Sequence, residues 1–362
     1  MSSGRRLVAL DGVRGVAVLL VVLGHISGTW APYAGNVGVT LFLVLSGYLI
    51  TSLLLRERDR YGSISFTGFY MRRVLRLMPA LLLVLAVTPI LLWIATDARL
   101  ETYGYPAVVS GLYLADFFQA SGVNLGFFTH MWSLAVEEQF YLIWPLLLVG
   151  LLGAVGWGVS GSRRRLVAIV ASLAFVGLAW RVVATLILDA DRVYYAPDTN
   201  AFIILLGCLL AVMKKETITR VPRWLAVAAL AVIAVASVLL PEGSPIVRNW
   251  TVLGAALLAV VVVAGSASGG RLLSAKPLVW FGTISYGLYL WHAVLLWIAW
   301  WGPEAAGLPR LGLAAISIVI AWASFRFYEL PIQQRFKARW ERPRVVGTGE
   351  TAVLAPSGAG AV

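Results

Sequence analysis

Apolar runs of about twenty residues recur along most of the chain, and short polar segments separate them. A run of this length crosses the hydrocarbon core of a bilayer as an α-helix. The pattern predicts an all-α polytopic integral membrane protein. Its ten membrane-crossing helices are expected near residues 7–26, 37–55, 80–96, 132–152, 166–188, 198–213, 224–240, 247–266, 279–300 and 308–328.

One apolar segment, residues 106–118, is too short for an ordinary crossing and contains Asp116. The following run, 132–152, is long enough to cross although it carries Glu137 and Glu138. Asp97 is expected outside, so an odd number of crossings between it and residue 163 keeps Arg163–Arg165 on the same side as the other basic loops. The sequence therefore predicts a re-entrant or interfacial helix over 106–118.

Positive charge is concentrated in alternate loops. The formal net charge is +12, and the basic residues cluster near 56–60, 163–165, 214–223, 271–276 and 335–344. This is the positive-inside pattern of membrane proteins, which accounts for the charge without nucleic acid as a partner. The pattern places both termini in the cytoplasm and makes the lipid bilayer and an anionic substrate the expected partners.

The expected domain organisation is a transmembrane domain over residues 1–335 and a cytoplasmic tail over 336–362. The tail is basic and then rich in Gly, Ser and Ala, a composition typical of disorder. Cys208 is the single cysteine and lies in an apolar run, so a disulfide framework is excluded and a packing role is expected. The sequence contains no Gly-rich phosphate loop, HExxH, CxxC or GxSxG motif, so no metal site is expected.

Three ionisable residues, Asp11, Arg14 and His25, interrupt the first apolar run. Arg14 and His25 are separated by nearly three helical turns, so they share a face of the helix and lie roughly 16 Å apart along its axis. Asp11 precedes Arg14 by one turn and can pair with it. Charges in membrane segments are costly and usually mark function. The alternatives are a snorkelling Asp11–Arg14 pair and a structural interior histidine.

Arginine and glutamate residues interrupt two later segments. Arg72, Arg73 and Arg76 are helix neighbours, which predicts one cationic surface at the cytoplasmic mouth. Guanidinium groups suit phosphate, although a positive-inside anchor is the alternative. Glu137 and Glu138 are adjacent in a span, so at least one must face a polar cavity or pair with arginine. A simple salt bridge between helices is the alternative there.

The remaining polar stretches are less specific. The segment Ser285–His292 combines tyrosines with a histidine, and its aromatic residues can form an interfacial belt instead of a site. His130 precedes Trp132 in an expected loop. Asp198 opens an apolar run and is either a functional carboxylate or a helix cap. Arg181, within the preceding span, could pair with Asp198 or Glu137.

Taken together, these stretches resemble the motifs of the membrane acyltransferase-3 family. The resemblance covers about residues 7–335 in familiar order and spacing. The family often has arginine at the position of Asn200, so this chain departs from the pattern there. The stretches that carry the resemblance are Asp11–Gly15 with His25, Phe42–Thr51, Arg72–Pro79, Trp132–Tyr141, Ser285–His292 and Tyr328–Pro331.

The resemblance implies an O-acyltransferase of a bacterial cell membrane. Such an enzyme moves an acyl group, usually acetyl, from acyl-coenzyme A to a hydroxyl. The acceptor is commonly a sugar of a surface polysaccharide, peptidoglycan or lipid-linked glycan, or a secreted natural product. The expected donor is therefore acetyl-coenzyme A, and the expected acceptor is a glycan or a glycosylated small molecule.

Acyl transfer to an alcohol requires a base near the hydroxyl and positive charge near the developing oxyanion. His25 is the expected base, because it lies deep in an early span with an arginine on its face. Glu137 or Glu138 is expected to orient it. Donor-binding roles are expected for Arg14 and for Arg72, Arg73 and Arg76, which suit the phosphates of coenzyme A. The other expected substrate contacts are Ser46, Trp132, Ser133, Asp198, Tyr286 and His292.

Three other interpretations remain open at this point. A covalent acyl-enzyme on Ser46 or Cys208 is less favoured than direct transfer, because the sequence identifies no base beside either residue. A secondary transporter of a polar or anionic solute would also bury charges in its spans, but it predicts paired repeats that the sequence does not show. A non-catalytic scaffold would not need charged residues in several spans.

Overall fold

The computed structural model of the protein describes residues 8–27, 30–96, 101–240, 245–300 and 308–340. These ranges contain helices and turns and no strand. The basic stretch at residues 3–6 and the part of the expected tail at 341–362 lie outside the described residues. Residues 336–340, assigned to the disordered tail by composition, are instead the end of a helix.

The chain forms fifteen α-helices within the described ranges. A 3₁₀ turn, Gly126–Met131, precedes the sixth, and a π-helical turn, Phe325–Glu329, joins the last two. In chain order the helices are α1 (Val8–Ile26), α2 (Ala34–Tyr61), α3 (Phe66–Thr96), α4 (Glu101–Gly111), α5 (Ala115–Ala120), α6 (Trp132–Ala154), α7 (Ser162–Ile187), α8 (Ala190–Tyr195), α9 (Pro197–Val212), α10 (Lys215–Ile218), α11 (Arg223–Leu239), α12 (Pro245–Ser266), α13 (Lys276–Trp300), α14 (Leu308–Ser324) and α15 (Leu330–Trp340).

Nine helical segments among the described residues are long and apolar enough to cross a membrane. The chain is therefore an all-α multi-pass membrane protein. The segment predicted at 224–240 corresponds to α11, an apolar helix of 17 residues that is slightly shorter than those nine. The segment predicted at 106–118 forms α4 and α5, whose 11 and 6 residues are each too few to span a bilayer.

The third span differs from its prediction. The sequence pattern places its start after Pro79, because three arginines precede that residue, but α3 begins at Phe66 and continues through Pro79. The arginines of this stretch are tolerated within the helix because Arg72 and Arg73 each meet a glutamate from another helix. They are therefore part of a membrane-length helix and do not form a loop in front of one.

Close contacts through glycine hold the central helices together. A Cβ atom at Gly282 of α13 would lie 1.9 Å from the Asp11 carbonyl oxygen of α1, and one at Gly207 of α9 would lie 1.9 Å from the Val44 carbonyl oxygen of α2. Only glycine allows the backbones of these pairs to approach so closely, as small residues commonly do in membrane helix packing. This packing fixes α1 against α13 and α2 against α9.

The basic loops meet at one end of the helices. The Trp157 indole donates to Asp59 at 2.9 Å, which joins the end of α2 to the turn before α7. Arg163 donates to the Val212 carbonyl oxygen at the end of α9, and Arg223 donates to the Ser268 carbonyl oxygen beyond α12. These contacts place the positively charged loops on a common side, as the charge pattern predicts.

Candidate active site

A polar cavity opens between α1, α2, α3, α6 and α13. The cavity and its open mouth enclose about 760 Å³. Its charged and hydroxyl-bearing lining residues come from segments far apart in the sequence. They are Arg14, Ser46, Arg73, Arg76, Ser133, Glu137, Glu138, Tyr141, Ser285, Tyr286 and Tyr289.

The two adjacent carboxylates of α6 have different partners. Glu138 accepts a hydrogen bond from the Arg73 guanidinium at 2.7 Å, and that guanidinium lies over the Tyr141 ring, 3.3 Å from its centroid. Glu137 accepts hydrogen bonds from the hydroxyl groups of Ser46 and Tyr141. Both carboxylates thus face the cavity, and the expectation that at least one would face a polar cavity or pair with arginine holds for both.

Two cavity arginines, Arg14 and Arg76, have no ion pair or hydrogen bond with any of the residues that the structure describes. The cavity therefore combines three guanidinium groups with only two carboxylates, and Arg73 already satisfies Glu138. The formal surplus is one positive charge, since Glu137 lies within electrostatic reach of both Arg14 and Arg76 without bonding directly to either of them. Guanidinium groups that face an open cavity without a directly bonded carboxylate are suited to bind an anion, in particular a phosphate.

The prediction that three arginines form one cationic surface is wrong for Arg72. Arg72 points away from the cavity and lies 3.3 Å from Glu57, near the end of α2. On a helix, adjacent residues project about 100° apart, so Arg72 and Arg73 cannot share one face. Arg73 and Arg76 are the two that line the cavity.

All three histidines of the chain meet at one place. His25 is exposed in the last turn of α1, and its ring centroid lies 4.9 Å from that of His292 in α13. The His130 ring lies 5.7 Å from His292. His130 and His292 are buried, and His130 belongs to the 3₁₀ turn, not to an open loop as expected. The described side chains contain no group of three ligands arranged to hold a metal ion.

Neither carboxylate of α6 contacts His25, so the expectation that Glu137 or Glu138 orients this histidine is wrong. The His25 Nδ1 atom instead lies 2.8 Å from the Val21 carbonyl oxygen, one turn earlier in its own helix. The physical reason is the rotation of α6, which turns both carboxylates toward the hydroxyl and guanidinium donors of α2 and α3. The ring contact with His292 is the side-chain contact that the structure gives His25.

Tyr289 connects the cavity with the three histidines. Its hydroxyl lines the cavity, lies 2.6 Å from the Ser133 hydroxyl, and donates to the His130 carbonyl oxygen at 2.6 Å. Sequence reasoning did not single out Tyr289 or Tyr141 as site residues. The available signal was helical spacing, since Tyr141 follows Glu137 by four residues and Tyr289 precedes His292 by three.

Ser46 has a carboxylate beside it, contrary to the expectation that no base would lie near it. Its hydroxyl donates to Glu137, which is 91 residues away in the sequence and therefore could not be inferred from spacing. Cys208 matches its expected packing role. It is fully buried, and its thiol contacts the Gly47 carbonyl oxygen at 3.6 Å and the Thr51 side chain.

Asp198 and Arg181 do not pair with each other. Asp198 is exposed and accepts two hydrogen bonds from Arg192, at 2.9 and 3.0 Å, and one from the Trp180 indole. Arg181 is fully buried and donates to the side-chain oxygens of Asn200, at 3.1 Å, and Asn249, at 3.2 Å. The possible pairing of Arg181 with Asp198 or Glu137 is therefore not formed, because the Val193 carbonyl oxygen and the two amide oxygens accept from its terminal nitrogens instead.

Trp132 also lies apart from the cavity, although Ser133 lines it. The Trp132 ring packs against Tyr194, with centroids 4.8 Å apart, and against Tyr195 at 5.5 Å. Successive residues of α6 face different neighbours, so Trp132 and Ser133 lie in different environments although they belong to one motif. Of the residues expected to contact substrate, Asp198 and Trp132 lie in an aromatic and charged region around α8, and Ser46, Ser133 and Tyr286 line the cavity.

Asp116 lies on α5, outside the nine candidate spans, and it is fully buried. Burial raises the pKa of its carboxyl from 3.8 to about 6, and the hydrogen bonds from the Phe117 backbone and the Gln139 amide moderate the rise. The folded protein therefore binds this proton more tightly than the unfolded chain. By linkage, the contribution of Asp116 to stability falls as the pH rises from about 4 to about 6.

Replacement of Asp116 by asparagine is therefore expected to stabilise the protein at pH 7.5 and to have little effect near pH 4. Asparagine does not ionise, and its side-chain oxygen can still accept from Gln139. A rise of two pKa units corresponds to at most about 3 kcal/mol. Thermal unfolding in detergent at several pH values measures the difference, with the exposed Asp189→Asn variant as control. A stabilisation of equal size at all pH values would contradict this explanation.

The fold and the site together define a class of membrane protein. The chain is a multi-pass membrane protein that holds buried, interacting ionisable residues around a cavity, which membrane proteins use for transport or catalysis. The profile of the acyltransferase domain family matches residues 7–328. The chain therefore belongs to this acyltransferase family.

The curated relatives include O-acetyltransferases of two bacteria. The peptidoglycan O-acetyltransferase OatA of Listeria monocytogenes is 32% identical over 353 residues, which is 90% of this chain and 56% of that protein. The O-acetyltransferase OatA of Staphylococcus aureus is 30% identical over 383 residues, which is 98% of this chain and 62% of that protein. This chain thus spans little more than half the length of these relatives. No solved structure matches it.

Proposed function

We propose that this chain transfers an acetyl group from acetyl-coenzyme A on the cytoplasmic side of a bacterial cell membrane to a hydroxyl of a cell-envelope glycan outside. Membership of the acyltransferase family and the activities named for its relatives support this proposal. Peptidoglycan is the preferred acceptor, because it is named for the relative from Listeria monocytogenes. The observation that carries the proposal is a cavity with two unpaired arginines that connects, through Tyr289, to a group of histidines.

Arg14 and Arg76 are the proposed ligands for the phosphates of coenzyme A. Both line the cavity, and neither forms a direct ion pair or hydrogen bond with a carboxylate among the described residues. Arg14 and Arg76 lie toward the starts of α1 and α3, which is the side where the basic loops meet, and the cavity continues along the first half and middle of α2. This side corresponds to the cytoplasm under the positive-inside rule, where acyl-coenzyme A is available.

The proposed catalytic base is His25. A carbonyl oxygen can only accept a hydrogen bond, so the contact between Nδ1 and the Val21 carbonyl oxygen places the ring hydrogen on Nδ1. The Nε2 atom then carries a lone pair and can accept a proton. Because His25 is exposed at the opposite end of α1 from Arg14, an acceptor arriving from outside can reach it.

The proposed reaction is a direct transfer. The acceptor hydroxyl gives its proton to His25 Nε2 while its oxygen forms a bond to the thioester carbonyl carbon. The carbon–sulfur bond then breaks, and the departing thiolate takes the proton from His25, which returns to its neutral form. Arg14 and His25 are separated by roughly 16 Å along α1. The acyl group sits at the end of a long flexible arm of coenzyme A, so phosphates near Arg14 and chemistry near His25 are compatible.

A label-transfer experiment tests the proposal. Membranes that contain the protein are incubated with acetyl-coenzyme A labelled in the acetyl group and with soluble peptidoglycan fragments. We expect label in the glycan, released by mild base because the product is an ester, and stoichiometric release of coenzyme A. Membranes without the protein are the control. Uptake of a solute without acetyl-coenzyme A, and no labelled glycan, would instead indicate the transporter alternative.

A further inference from the structure

Two buried histidines beside His25 have nitrogen atoms without hydrogen-bond partners in the described part of the chain. His292 is 0% exposed, and its Nε2 atom has no partner. His130 is 6% exposed, and neither of its ring nitrogens makes a hydrogen bond of ordinary geometry, although the backbone of Phe127 and Leu290 lies near its side chain. Buried polar side-chain atoms are normally hydrogen-bonded, so several unsatisfied nitrogens in one place require an explanation.

The hydrogen bonds of His292 define what its free nitrogen can do. Its Nδ1 atom lies 3.0 Å from the Leu288 carbonyl oxygen, so Nδ1 carries the ring hydrogen, in the same manner as Nδ1 of His25. The unpartnered Nε2 atom is then a hydrogen-bond acceptor with a free lone pair. His292 is thus a neutral imidazole whose Nε2 lone pair accepts no hydrogen bond from the described residues.

The ring that carries this acceptor lies next to the proposed base. The His25 and His292 rings are 4.9 Å apart and nearly perpendicular, with an angle of 77° between their planes. His130 lies behind His292, with ring centroids 5.7 Å apart. Tyr289 holds both parts of this arrangement, since its hydroxyl is bonded to the His130 backbone and its own ring packs 5.7 Å from His292.

We propose that His292, backed by His130, is a positioning residue that stabilises the positive charge which His25 acquires during acyl transfer. This inference rests on the proposed role of His25 as the base. When His25 Nε2 accepts the proton of the acceptor hydroxyl, a charged ring forms beside the neutral imidazole of His292, which His130 backs. Polar groups that are oriented before the charge appears stabilise it without reorganisation. His292 and His130 gain and lose no proton.

A packing role for His292 predicts a different result from an acceptor role, and two substitutions separate them. His292→Leu fills a similar space with apolar atoms and removes the lone pair, whereas His292→Gln keeps an amide that can provide an acceptor. If the ring only packs, leucine is the better replacement in this buried position. If the lone pair matters, glutamine is the better one.

The test measures kcat and both KM values for acetyl transfer, together with thermal unfolding in detergent. We expect His292→Leu to reduce kcat by about tenfold to a hundredfold, as loss of one preoriented polar group does. The KM for acetyl-coenzyme A should be unchanged. The His292→Leu variant should be at least as thermally stable as the His292→Gln variant. His292→Gln should retain most of the activity. Trp291→Phe is the control, because it removes another buried unpartnered nitrogen of α13 that lies outside the histidine group.

Equal kcat values for the leucine variant and the unmodified protein would overturn the inference, and so would equal losses in the leucine and glutamine variants. If His292→Leu fails to fold, the same comparison is made with His130→Phe and His130→Gln, since the His130 side chain makes no hydrogen bond of ordinary geometry and only weaker contacts with the backbone of Phe127 and Leu290. Different results would contradict the proposed function itself: no label transfer by the unmodified protein, or full activity of the His25→Ala variant.

Discussion

Replacement of His25 by alanine is expected to reduce acetyl transfer by about 10²–10⁴-fold, the usual contribution of a general base. The reduction should appear in kcat, with the KM for acetyl-coenzyme A nearly unchanged, because the arginines proposed to bind the donor lie toward the other end of α1. The acceptor hydroxyl would have no group to take its proton. Label transfer in membranes with matched amounts of protein measures the effect.

Folding of the His25→Ala variant should be preserved. His25 is exposed, and its one described hydrogen bond joins Nδ1 to a carbonyl oxygen of its own helix. Ser27→Ala is a matched control two residues further along, since its hydroxyl also bonds only to nearby backbone oxygens. We expect this control to keep normal transfer. Activity of the His25→Ala variant near that of the control would remove His25 as the base.

Replacement of Arg76 by alanine is expected to raise the KM for acetyl-coenzyme A by about tenfold to a hundredfold. Arg76 lines the cavity without an ion pair among the described residues, so its loss leaves no carboxylate unpaired. A hydrogen bond to a charged group contributes about 1.5–3 kcal/mol, which corresponds to this change in affinity. Steady-state kinetics at a saturating acceptor concentration measure it, and thermal unfolding should be nearly unchanged.

The neighbouring arginines provide controls for this prediction. Arg72→Ala removes a charge of the same stretch that lies outside the cavity, beside Glu57, and it should leave the donor KM within about twofold. Arg73→Ala should destabilise the protein by about 3–5 kcal/mol, because Glu138 would remain largely buried without its partner. Equal donor KM values for the Arg72 and Arg76 variants would contradict the assignment of Arg76 to the donor site.

The membrane architecture could be predicted from the sequence because the bilayer imposes one simple requirement on length and composition. Apolar runs of sufficient length and basic loops between them identified the spans and their common basic side. The start of α3 was the main error. Its arginines appear polar in the sequence, but carboxylates of two other helices neutralise Arg72 and Arg73, and no local pattern shows those partners.

The site could be predicted only as a set of residues, not as an arrangement. Arg14, Arg73, Glu137 and Glu138 stand out because ionisable residues in spans are costly, and all four line one cavity. Their pairing depends on how each helix is rotated about its axis. The sequence therefore assigned the carboxylates to His25, whereas the structure turns them toward Arg73 and Ser46.

The histidines illustrate the same limit. His130 seemed weaker evidence for a site because the sequence places it in an expected loop. In the structure the 3₁₀ turn before α6 folds it inward against Tyr289 and His292. A contact between residues 25, 130 and 292 depends on the close packing of α1 on α13, which the glycines of those helices permit.

The central claim is transfer from a cytoplasmic donor to an acceptor outside, and sealed vesicles of defined orientation test it most directly. Inside-out vesicles enclose peptidoglycan fragments, and labelled acetyl-coenzyme A is added to the outer solution, which faces the cytoplasmic side of the protein. We expect the enclosed glycan to be labelled, and right-side-out vesicles with the same external donor to give none. Labelling only in right-side-out vesicles, or in neither preparation, would contradict the account.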